Sequence, residues 1–181
     1  MKNQMLYKEL AKYYDLVYHW KNYKKETNRI KKLISKYKKC DGNELLDVAC
    51  GTGSHLKYLK SKFSCMGIDS NQDMLNVAKK NVKRVVFKNG DMVKFNLKQE
   101  FDIITCLFGS IAYVKTYTNL EKTIKNFYKH LKRGGVAIIE GFISKSEFKV
   151  GHIYMNTYDG DNIKIARLGT SKIRNDGLLL A

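Results

Sequence analysis

Short apolar segments alternate with amphipathic helical segments along most of the chain. The apolar segments are residues 44–48, 65–69, 85–88, 101–107 and 136–140. Each is short enough for a buried strand, and each is separated from the next by polar turns or helical spacing. This alternation is typical of a parallel sheet with helices on both faces. We therefore predict an α/β fold with a central, mostly parallel sheet.

The helical segments are recognised by apolar residues spaced three and four apart. Residues 22–39 are basic and are predicted to form a helix with one apolar stripe, made by Ile30, Leu33, Ile34 and Tyr37. Residues 55–62 and the segment that carries Met74, Leu75, Ala78 and Val82 are predicted to be helical, the latter capped by Ser70 or Asn71. A last helix is predicted to carry Leu120, Ile124, Phe127 and Leu131 and to end at Gly134-Gly135.

The pattern changes after Gly141. Polar and apolar residues then alternate on both sides of Asp159-Gly160, which predicts an antiparallel hairpin, and Asn175–Gly177 predicts another turn. We predict a domain over residues 1–142, whose first 40 residues form an aromatic and basic helical cap. An antiparallel extension is predicted over residues 143–181.

Charge and cysteine content limit the class of protein. The formal net charge is +17 in 181 residues, but 29 of the 34 basic residues are lysines spread along the chain, which disfavours specific nucleic-acid recognition. Membrane-length apolar runs and signal-peptide patterns are not found. The four cysteines form no CxxC pair, so we expect a reduced, cytoplasmic protein without a metal site.

Acidic residues lie at or just after the ends of the first three predicted strands. Asp47, Asp69 and Asp91 would meet at one edge of the sheet, where ligands of such folds bind, and three carboxylates repel phosphate. The turn Gly51-Thr52-Gly53 lacks the Lys-Ser/Thr of a P-loop. A dinucleotide fingerprint is also broken, because Leu56 stands where its third glycine belongs.

An ordered set of motifs resembles the class I S-adenosylmethionine-dependent methyltransferases. The motifs are DVACGTG, GIDSNQDML, NGDM, FDIITCLFGSIAYV and LKRGGVAIIEG. The resemblance implies a Rossmann-like fold with S-adenosylmethionine as cofactor. It implies that Asp69 accepts hydrogen bonds from the ribose hydroxyls, that Asp91 meets the adenine amine, and that Asp47 orients the turn or the ammonium. The cofactor-binding residues it implies are Tyr14, Tyr23, Asp47, Ala49, Gly51, Thr52, Gly53, Asp69, Ser70, Met74, Asp91, Met92, Leu107, Phe108 and Ser110.

The methyl acceptor is the less determined part of the resemblance. The chain contains no proline, so the proline motifs of nucleobase methyltransferases are absent, and Cys106 is interpreted as a buried apolar residue. The segments YDLVY, LLDVACGTGSHL and CLFGSIAYV are similar to nucleotide-linked amino-sugar N,N-dimethyltransferases. That similarity implies that Tyr7 and Tyr113 contact the substrate, and that Tyr14 and Tyr113 orient the reactants without an essential base. His130 is interpreted as structural.

Alternatives stay open at this point. They are an O- or C-methyltransferase of small molecules, an RNA methyltransferase that uses the lysine-rich surface, and a binding module that keeps the cofactor fold without activity. A homodimer is also open. The amino-sugar family continues with two more core strands beyond the last residue here, so we expect either a fragment or an edge that is covered in some other way.

Overall fold

The computed structural model describes residues 10–141, 147–173 and 179–180. Five strands form the central sheet: β1 (Glu44–Val48), β2 (Ser64–Asp69), β3 (Val86–Asn89), β4 (Phe101–Cys106) and β5 (Leu131–Ile139). Their order is β3-β2-β1-β4-β5, and every neighbouring pair is parallel. The predicted Rossmann-like α/β architecture is therefore confirmed.

β1 lies at the centre of the sheet and is covered on both faces. Leu45, Leu46 and Val48 have no exposed surface. Leu45 packs with Ile103 in the apolar cluster on one face, whereas Leu46 and Val48 belong to the cluster on the other. A strand that is buried on both faces needs a continuous apolar run, which is why this strand does not alternate polar and apolar residues.

Helices cover the sheet, and side chains cap three of them. The helices are α1 (Tyr14–Val17), α2 (Tyr23–Tyr37), α3 (Leu56–Leu59), α4 (Gln72–Asn81) and α5 (Tyr117–Lys129), with 3₁₀ turns at Ala11–Tyr13 and Ser110–Val114. The caps are Asn22, Asn71 and Thr116, whose side-chain oxygens accept backbone N–H groups of the first turn. Within the described ranges, no helix is long and apolar enough to cross a membrane.

Two helices differ from the sequence prediction. In α2, Ile30 and Ile34 are buried, but Leu33 is 42% exposed and Tyr37 is 53% exposed. Buried Thr27 completes the inner face of this helix, and its hydroxyl donates to the carbonyl of Tyr23. α3 is four residues long, shorter than the predicted segment 55–62, and residues 60–63 connect it to β2.

The end of α5 corrects the sequence prediction. The helix ends at Lys129, and Leu131 and Gly134-Gly135 belong to β5. His130 ends the helix: its imidazole Nδ1–H donates to the carbonyl of Asn126, and its Nε2 accepts the N–H of Leu97. Both ring nitrogens of His130 are therefore bonded within the protein, at the end of the helix. The glycines form a bulge in β5, where Gly134 has φ +79° and its carbonyl accepts the N–H of Lys39.

The predicted hairpin is confirmed. β6 (Ile153–Asp159) and β7 (Lys164–Thr170) are antiparallel, with Asp159 paired to Lys164 at the turn. A short pair, β8 (Lys172–Ile173) and β9 (Leu179–Leu180), follows. The turn predicted at 175–177 and the predicted domain boundary after residue 142 lie outside the described residues. The division into two domains stays a prediction.

Candidate functional site

A cavity lies at the carboxyl ends of β1 and β4, where the strand order of the sheet reverses. Its lining combines the turn after β1, the turn after β4 and the N-terminal cap. The lining residues are Tyr14, Tyr23, Asp47, Ala49, Cys50, Gly51, Thr52, Ser54, His55, Leu107, Phe108 and Ser110. Open α/β sheets bind their ligands at this switch point. We call this cavity the crevice.

The glycine turn after β1 depends on positive φ angles. Ala49, Gly51 and Gly53 have φ of +58°, +55° and +76°. A Cβ at Gly53 would also lie 3.2 Å from the side chains of Phe87 and Val82. Gly53 is therefore required by both its backbone conformation and its close packing. The turn brings bare backbone to the wall of the crevice.

Asp69 fixes this turn from the end of β2. Its Oδ2 accepts the N–H of Gly51 at 2.8 Å, and its Oδ1 accepts the N–H of Asn71 at 2.8 Å. Burial raises the pKa of Asp69, and the two backbone hydrogen bonds oppose that rise. Each carboxylate oxygen has two lone pairs, so both can still accept a hydrogen bond from a ligand hydroxyl.

Asp47 is the buried acid at the end of β1. It is 2% exposed, and its Oδ1 accepts a hydrogen bond of 2.7 Å from the hydroxyl of Thr105. Burial raises the pKa of Asp47 to about 6, and the charge of Asp69 adds to the rise, while His55 and the Thr105 hydrogen bond oppose it. A cationic ligand group in the crevice would favour the ionised form of Asp47.

The N-terminal cap is attached to the glycine turn by Asp15. Asp15 Oδ1 accepts hydrogen bonds from Thr52 Oγ1 at 2.7 Å and from Ser54 Oγ at 2.9 Å. These bonds join α1 to the turn across the crevice, beside Tyr14 and Tyr23. The two hydroxyl protons are used within the protein, so they are not offered to a ligand phosphate.

His55 follows the turn directly and connects it to α2. Its Nε2 lies 2.9 Å from Glu26 Oε2, and its ring meets the ring of Tyr23 edge-on at 4.9 Å between centroids. Glu26 Oε1 accepts a second hydrogen bond, of 2.5 Å, from Lys21 Nζ. Lys21 is buried, and its Nζ lies 4.0 Å above the ring of Phe108. The bond from His55 lowers the pKa of Glu26, and the bond from Lys21 adds to this effect.

The turn after β4 is held in an unusual backbone conformation. Phe108 and Gly109 have φ of +56° and +68°, and the N–H of Phe108 donates to Glu140 Oε2 at 2.6 Å. The left-handed region is costly for phenylalanine, and such residues concentrate at functional sites. The conformation places the Phe108 ring against the crevice and edge-on to Tyr18, at 5.1 Å between centroids.

The hairpin contacts the cap beside this aromatic group. Arg167 on β7 donates from Nη1 to the hydroxyl of Tyr18 at 2.9 Å and from Nη2 to the hydroxyl of Tyr154 at 3.5 Å. Burial raises the pKa of Tyr18; Arg167 opposes the rise, and the nearby Tyr113 adds to it. Tyr113 is 58% exposed, whereas Tyr7 lies outside the described residues. Arg167, Tyr18 and Tyr154 thus form a cationic and aromatic group that joins hairpin and cap.

The structure separates the predicted cofactor residues into two groups. Nine of the fifteen line the crevice: Tyr14, Tyr23, Asp47, Ala49, Gly51, Thr52, Leu107, Phe108 and Ser110. The others are Gly53, Asp69, Ser70, Met74, Asp91 and Met92, which lie around the ends of β1, β2 and β3. Asp91 Oδ1 accepts the N–H of Val93 at 2.9 Å, which starts a turn there. The roles assigned to both groups stay predictions.

Sequence reasoning missed three residues of the lining. Cys50, Ser54 and His55 lie in or next to the turn. The letters SH after GTG are the local signal for Ser54 and His55. The interpretation of Cys106 agrees with the structure: the residue is fully buried, and burial raises the pKa of its thiol to about 12. A thiol in that state is not a nucleophile at neutral pH.

Comparison with known proteins supports the same family. A family model described as a methyltransferase domain matches residues 45–135, half of the chain. The dTDP-3-amino-3,6-dideoxy-alpha-D-glucopyranose N,N-dimethyltransferase of Streptomyces fradiae is 31% identical over 90% of this chain and 65% of its own length. The chain therefore spans slightly less than two thirds of that relative.

Two solved structures are similar over most of the described residues. Streptomyces venezuelae DesVI is 32% identical with a TM-score of 0.85, and the match covers 91% of this chain and 71% of that one. CalS10, an amino pentose methyltransferase from Micromonospora echinaspora solved with S-adenosylmethionine bound, is 28% identical with a TM-score of 0.78, over 86% of this chain and 66% of that one. With the parallel sheet, the glycine turn and the ordered motifs, these matches show that the chain belongs to the class I S-adenosylmethionine-dependent methyltransferases.

Proposed function

We propose that this chain binds S-adenosylmethionine in the crevice and supports methyl transfer to the amine of a nucleotide-linked amino sugar. The observation that carries the proposal is the turn after β1, whose bare backbone lies between two acids, Asp47 and Asp69. Such a site suits a ligand with an ammonium group and hydroxyls. It disfavours a phosphate, because two carboxylates repel it and no side-chain cation of the turn neutralises it.

Each of these residues would contact a different part of the cofactor. Asp69 would accept hydrogen bonds from ribose hydroxyls, and Asp47 would face the ammonium group. Asp91 would meet the adenine amine beside Met92. The rings of Tyr14, Tyr23 and Phe108 line the crevice and would exclude water from the reacting centre.

Methyl transfer to a neutral amine needs little acid–base catalysis by the protein. When bound, the cofactor supplies a methyl group on a sulfonium, which a neutral amine displaces in line. The chain then has to align the amine about 3–3.5 Å from the methyl and to exclude water. Tyr14, which lines the crevice, and Tyr113 would orient the reactants, and no essential base is required.

Arg167 supports a nucleotide-linked acceptor. Its guanidinium donates to the hydroxyls of Tyr18 and Tyr154, and the ring of Tyr18 lies edge-on to the Phe108 ring that lines the crevice. Guanidinium groups recognise phosphate oxygens through two parallel hydrogen bonds. An acceptor whose amine reaches the crevice can therefore place a diphosphate near the hairpin. The names of the relatives support the same class of acceptor.

Calorimetry with S-adenosylmethionine and its demethylated product tests the cofactor. We expect binding to the wild type and a loss of at least about tenfold in Asp69→Ala, because that change removes both the carboxylate and the anchor of the turn. Asp73→Ala, on the exposed side of α4, is the matched control and should bind normally. A folded wild type that binds neither compound would overturn the proposal.

Methyl transfer from labelled cofactor tests the acceptor. The panel should contain dTDP-linked amino sugars, the same sugars without the nucleotide, simple amines and RNA. We expect label on the nucleotide-linked amine. Label on RNA with steep salt dependence would replace the proposal with an RNA methyltransferase. Label on oxygen or carbon of an amine-free analogue would also contradict it.

A further inference from the structure

We propose that Glu140 is a positioning residue of the turn after β4, and that it holds the Phe108 ring where the N-terminal cap closes the crevice. The inference rests on the proposed function for its effect on methyl transfer. Neither the motifs nor the family resemblance assigned a role to Glu140. The juxtaposition that carries it is a carboxylate bonded to the N–H of a residue with left-handed backbone, whose ring contacts the cap.

Glu140 lies directly after β5, beside the end of β4. The register pairs Cys106 with Ile139, and the N–H of Glu140 donates to the carbonyl of Cys106 at 2.9 Å. A regular parallel ladder would next bond the N–H of Phe108 to the carbonyl of Glu140. The side-chain Oε2 of Glu140 accepts that N–H instead, at 2.6 Å. The backbone of Glu140 thus fixes it to β4, and its side chain fixes the turn.

The backbone of Phe108 needs such a partner. Its φ is +56°, a region that is unfavourable for residues with a Cβ, and a phenylalanine side chain offers no polar group that could bond the backbone there. Gly109 continues the turn with φ +68°, which glycine adopts readily. A hydrogen bond to a carboxylate is stronger than one to a neutral carbonyl. The bond to Glu140 therefore offsets the unfavourable conformation of Phe108.

The ring of Phe108 is the place where the cap meets this turn. Lys21 Nζ lies 4.0 Å from the centroid of the ring, and the ring of Tyr18 meets it edge-on at 5.1 Å between centroids. A lysine over an aromatic face and an edge-on aromatic pair are both favourable contacts. The same ring lines the crevice. A turn that relaxes to ordinary φ angles would move the ring and weaken its contacts with the cap.

The Phe108 ring also connects the crevice to the hairpin. Tyr18, which packs on the ring, accepts a hydrogen bond from Arg167, the residue proposed to meet the diphosphate of the acceptor. The ring therefore belongs to the wall that both reactants would share. Displacing such a wall misaligns the amine and the methyl group, which slows an in-line displacement more than it weakens the binding of either reactant.

Amide exchange of four variants, followed by NMR, tests the positioning of the turn. Glu140→Gln keeps an oxygen at the same reach without the charge, Glu140→Asp keeps the charge on a shorter side chain, and Glu140→Ala removes the acceptor. Glu121→Ala, at an exposed acid of α5, is the matched control. We expect the Phe108 amide to exchange at least about tenfold faster in Glu140→Ala and Glu140→Asp, to be intermediate in Glu140→Gln, and to be unchanged in the control.

Steady-state kinetics test the consequence for methyl transfer. In Glu140→Ala, kcat should fall at least about tenfold, while the KM for a nucleotide-linked amino sugar and the dissociation constant of S-adenosylmethionine stay within about threefold of the wild type. Glu140→Gln should recover part of kcat and Glu140→Asp should not. The opposite order of these two variants would show that only the charge of Glu140 matters, and would overturn the proposal. Parallel changes in kcat, KM and cofactor binding would show a general structural role and would also overturn it.

Phe108→Ala separates the ring from the bond that holds it. Without the ring, Glu140→Ala should lower kcat little further, because both changes act through one contact. Independent losses that add would contradict the proposal. The Gln and Asp variants carry the test if Glu140→Ala does not fold.

Failure of the proposed function is distinguishable from failure of this inference. A wild type that methylates no acceptor in the panel would overturn the proposed function alone. Unchanged exchange of the Phe108 amide in Glu140→Ala would overturn the positioning role of Glu140, whatever the activity of the wild type.

Discussion

Leu56 of α3 fills the space that Gly67 leaves open on β2. Leu56 has no exposed surface, and a Cβ at Gly67 would lie 2.9 Å from its Cδ1 and 2.8 Å from Cys50 Sγ. In dinucleotide-binding folds a glycine on the helix allows helix and strand to approach closely. Here the glycine is on the strand and the large residue is on the helix, which explains why a leucine is accepted after the glycine turn.

This packing predicts the cost of Gly67→Ala. The added methyl group has no space between Leu56, Cys50 and Phe87, so the free energy of unfolding should fall by about 1–3 kcal/mol. Urea denaturation checks the value. Gly141→Ala is the control, since no described residue has an atom within 4 Å of its Cβ position, and it should change little. Equal effects of the two substitutions would contradict the packing argument.

Asp47 predicts a pH dependence of stability. Its pKa is about 6 in the folded chain and near 3.8 when unfolded. Between these values the folded state binds the Asp47 proton more tightly than the unfolded state does. The stability that protonated Asp47 contributes at low pH is therefore lost as pH rises from about 4 to about 6. The loss is about 3 kcal/mol for a shift of this size. Asp47→Asn should remove this pH-dependent loss, because asparagine does not titrate.

The measurement is the difference in unfolding free energy between wild type and Asp47→Asn, in urea at several pH values. The unfolding free energy of Asp47→Asn should rise relative to that of the wild type as pH rises from about 4 to about 6. Above this range the difference between the two proteins should be constant. Asp73→Asn, at an exposed acid, should follow the wild type throughout. A constant difference between Asp47→Asn and the wild type would show that Asp47 does not titrate there.

Asp15 predicts a link between the cap and ligand binding. Asp15→Ala removes the acceptor of Thr52 and Ser54, so the cap should detach more often from the glycine turn. We expect faster amide exchange over residues 11–20 and cofactor binding weaker by about tenfold. Asp159→Ala, which removes an exposed ion pair of the hairpin, should alter neither. Faster exchange with unchanged binding would separate the cap from the ligand.

Arg167 predicts a kinetic change limited to the acceptor. In Arg167→Gln, the KM for a nucleotide-linked amino sugar should rise at least about tenfold, while the cofactor dissociation constant stays within twofold of the wild type. Lys164→Gln on the same strand is the control, because the ion pair that Lys164 forms in the described part of the chain is with exposed Asp159. A rise in KM of the same size for a sugar without phosphate would assign Arg167 a structural role instead.

The features that sequence predicts best are those encoded by neighbouring residues. The five strands, the acids at the ends of β1 and β2 and the Asp159-Gly160 hairpin each follow from a local pattern. The end of α5 was missed, because His130 depends on Leu97, which is 33 residues away. The His55–Glu26 contact likewise joins residues 29 apart, and nothing in the local pattern of α2 marks Glu26 as the partner of a residue that lines the crevice.

The attachment of Asp15 to the turn has a consequence for competition among metabolites. ATP and nicotinamide dinucleotides carry the same adenosine as S-adenosylmethionine. Contacts to the adenosine therefore do not discriminate between these ligands. Asp15 accepts the hydroxyl protons of Thr52 and Ser54. In the proposed binding mode, Asp15, Asp47 and Asp69 would present carboxylates where those molecules would carry phosphate. Selectivity would then come from rejection by charge, and it would persist when phosphorylated nucleotides are in large excess.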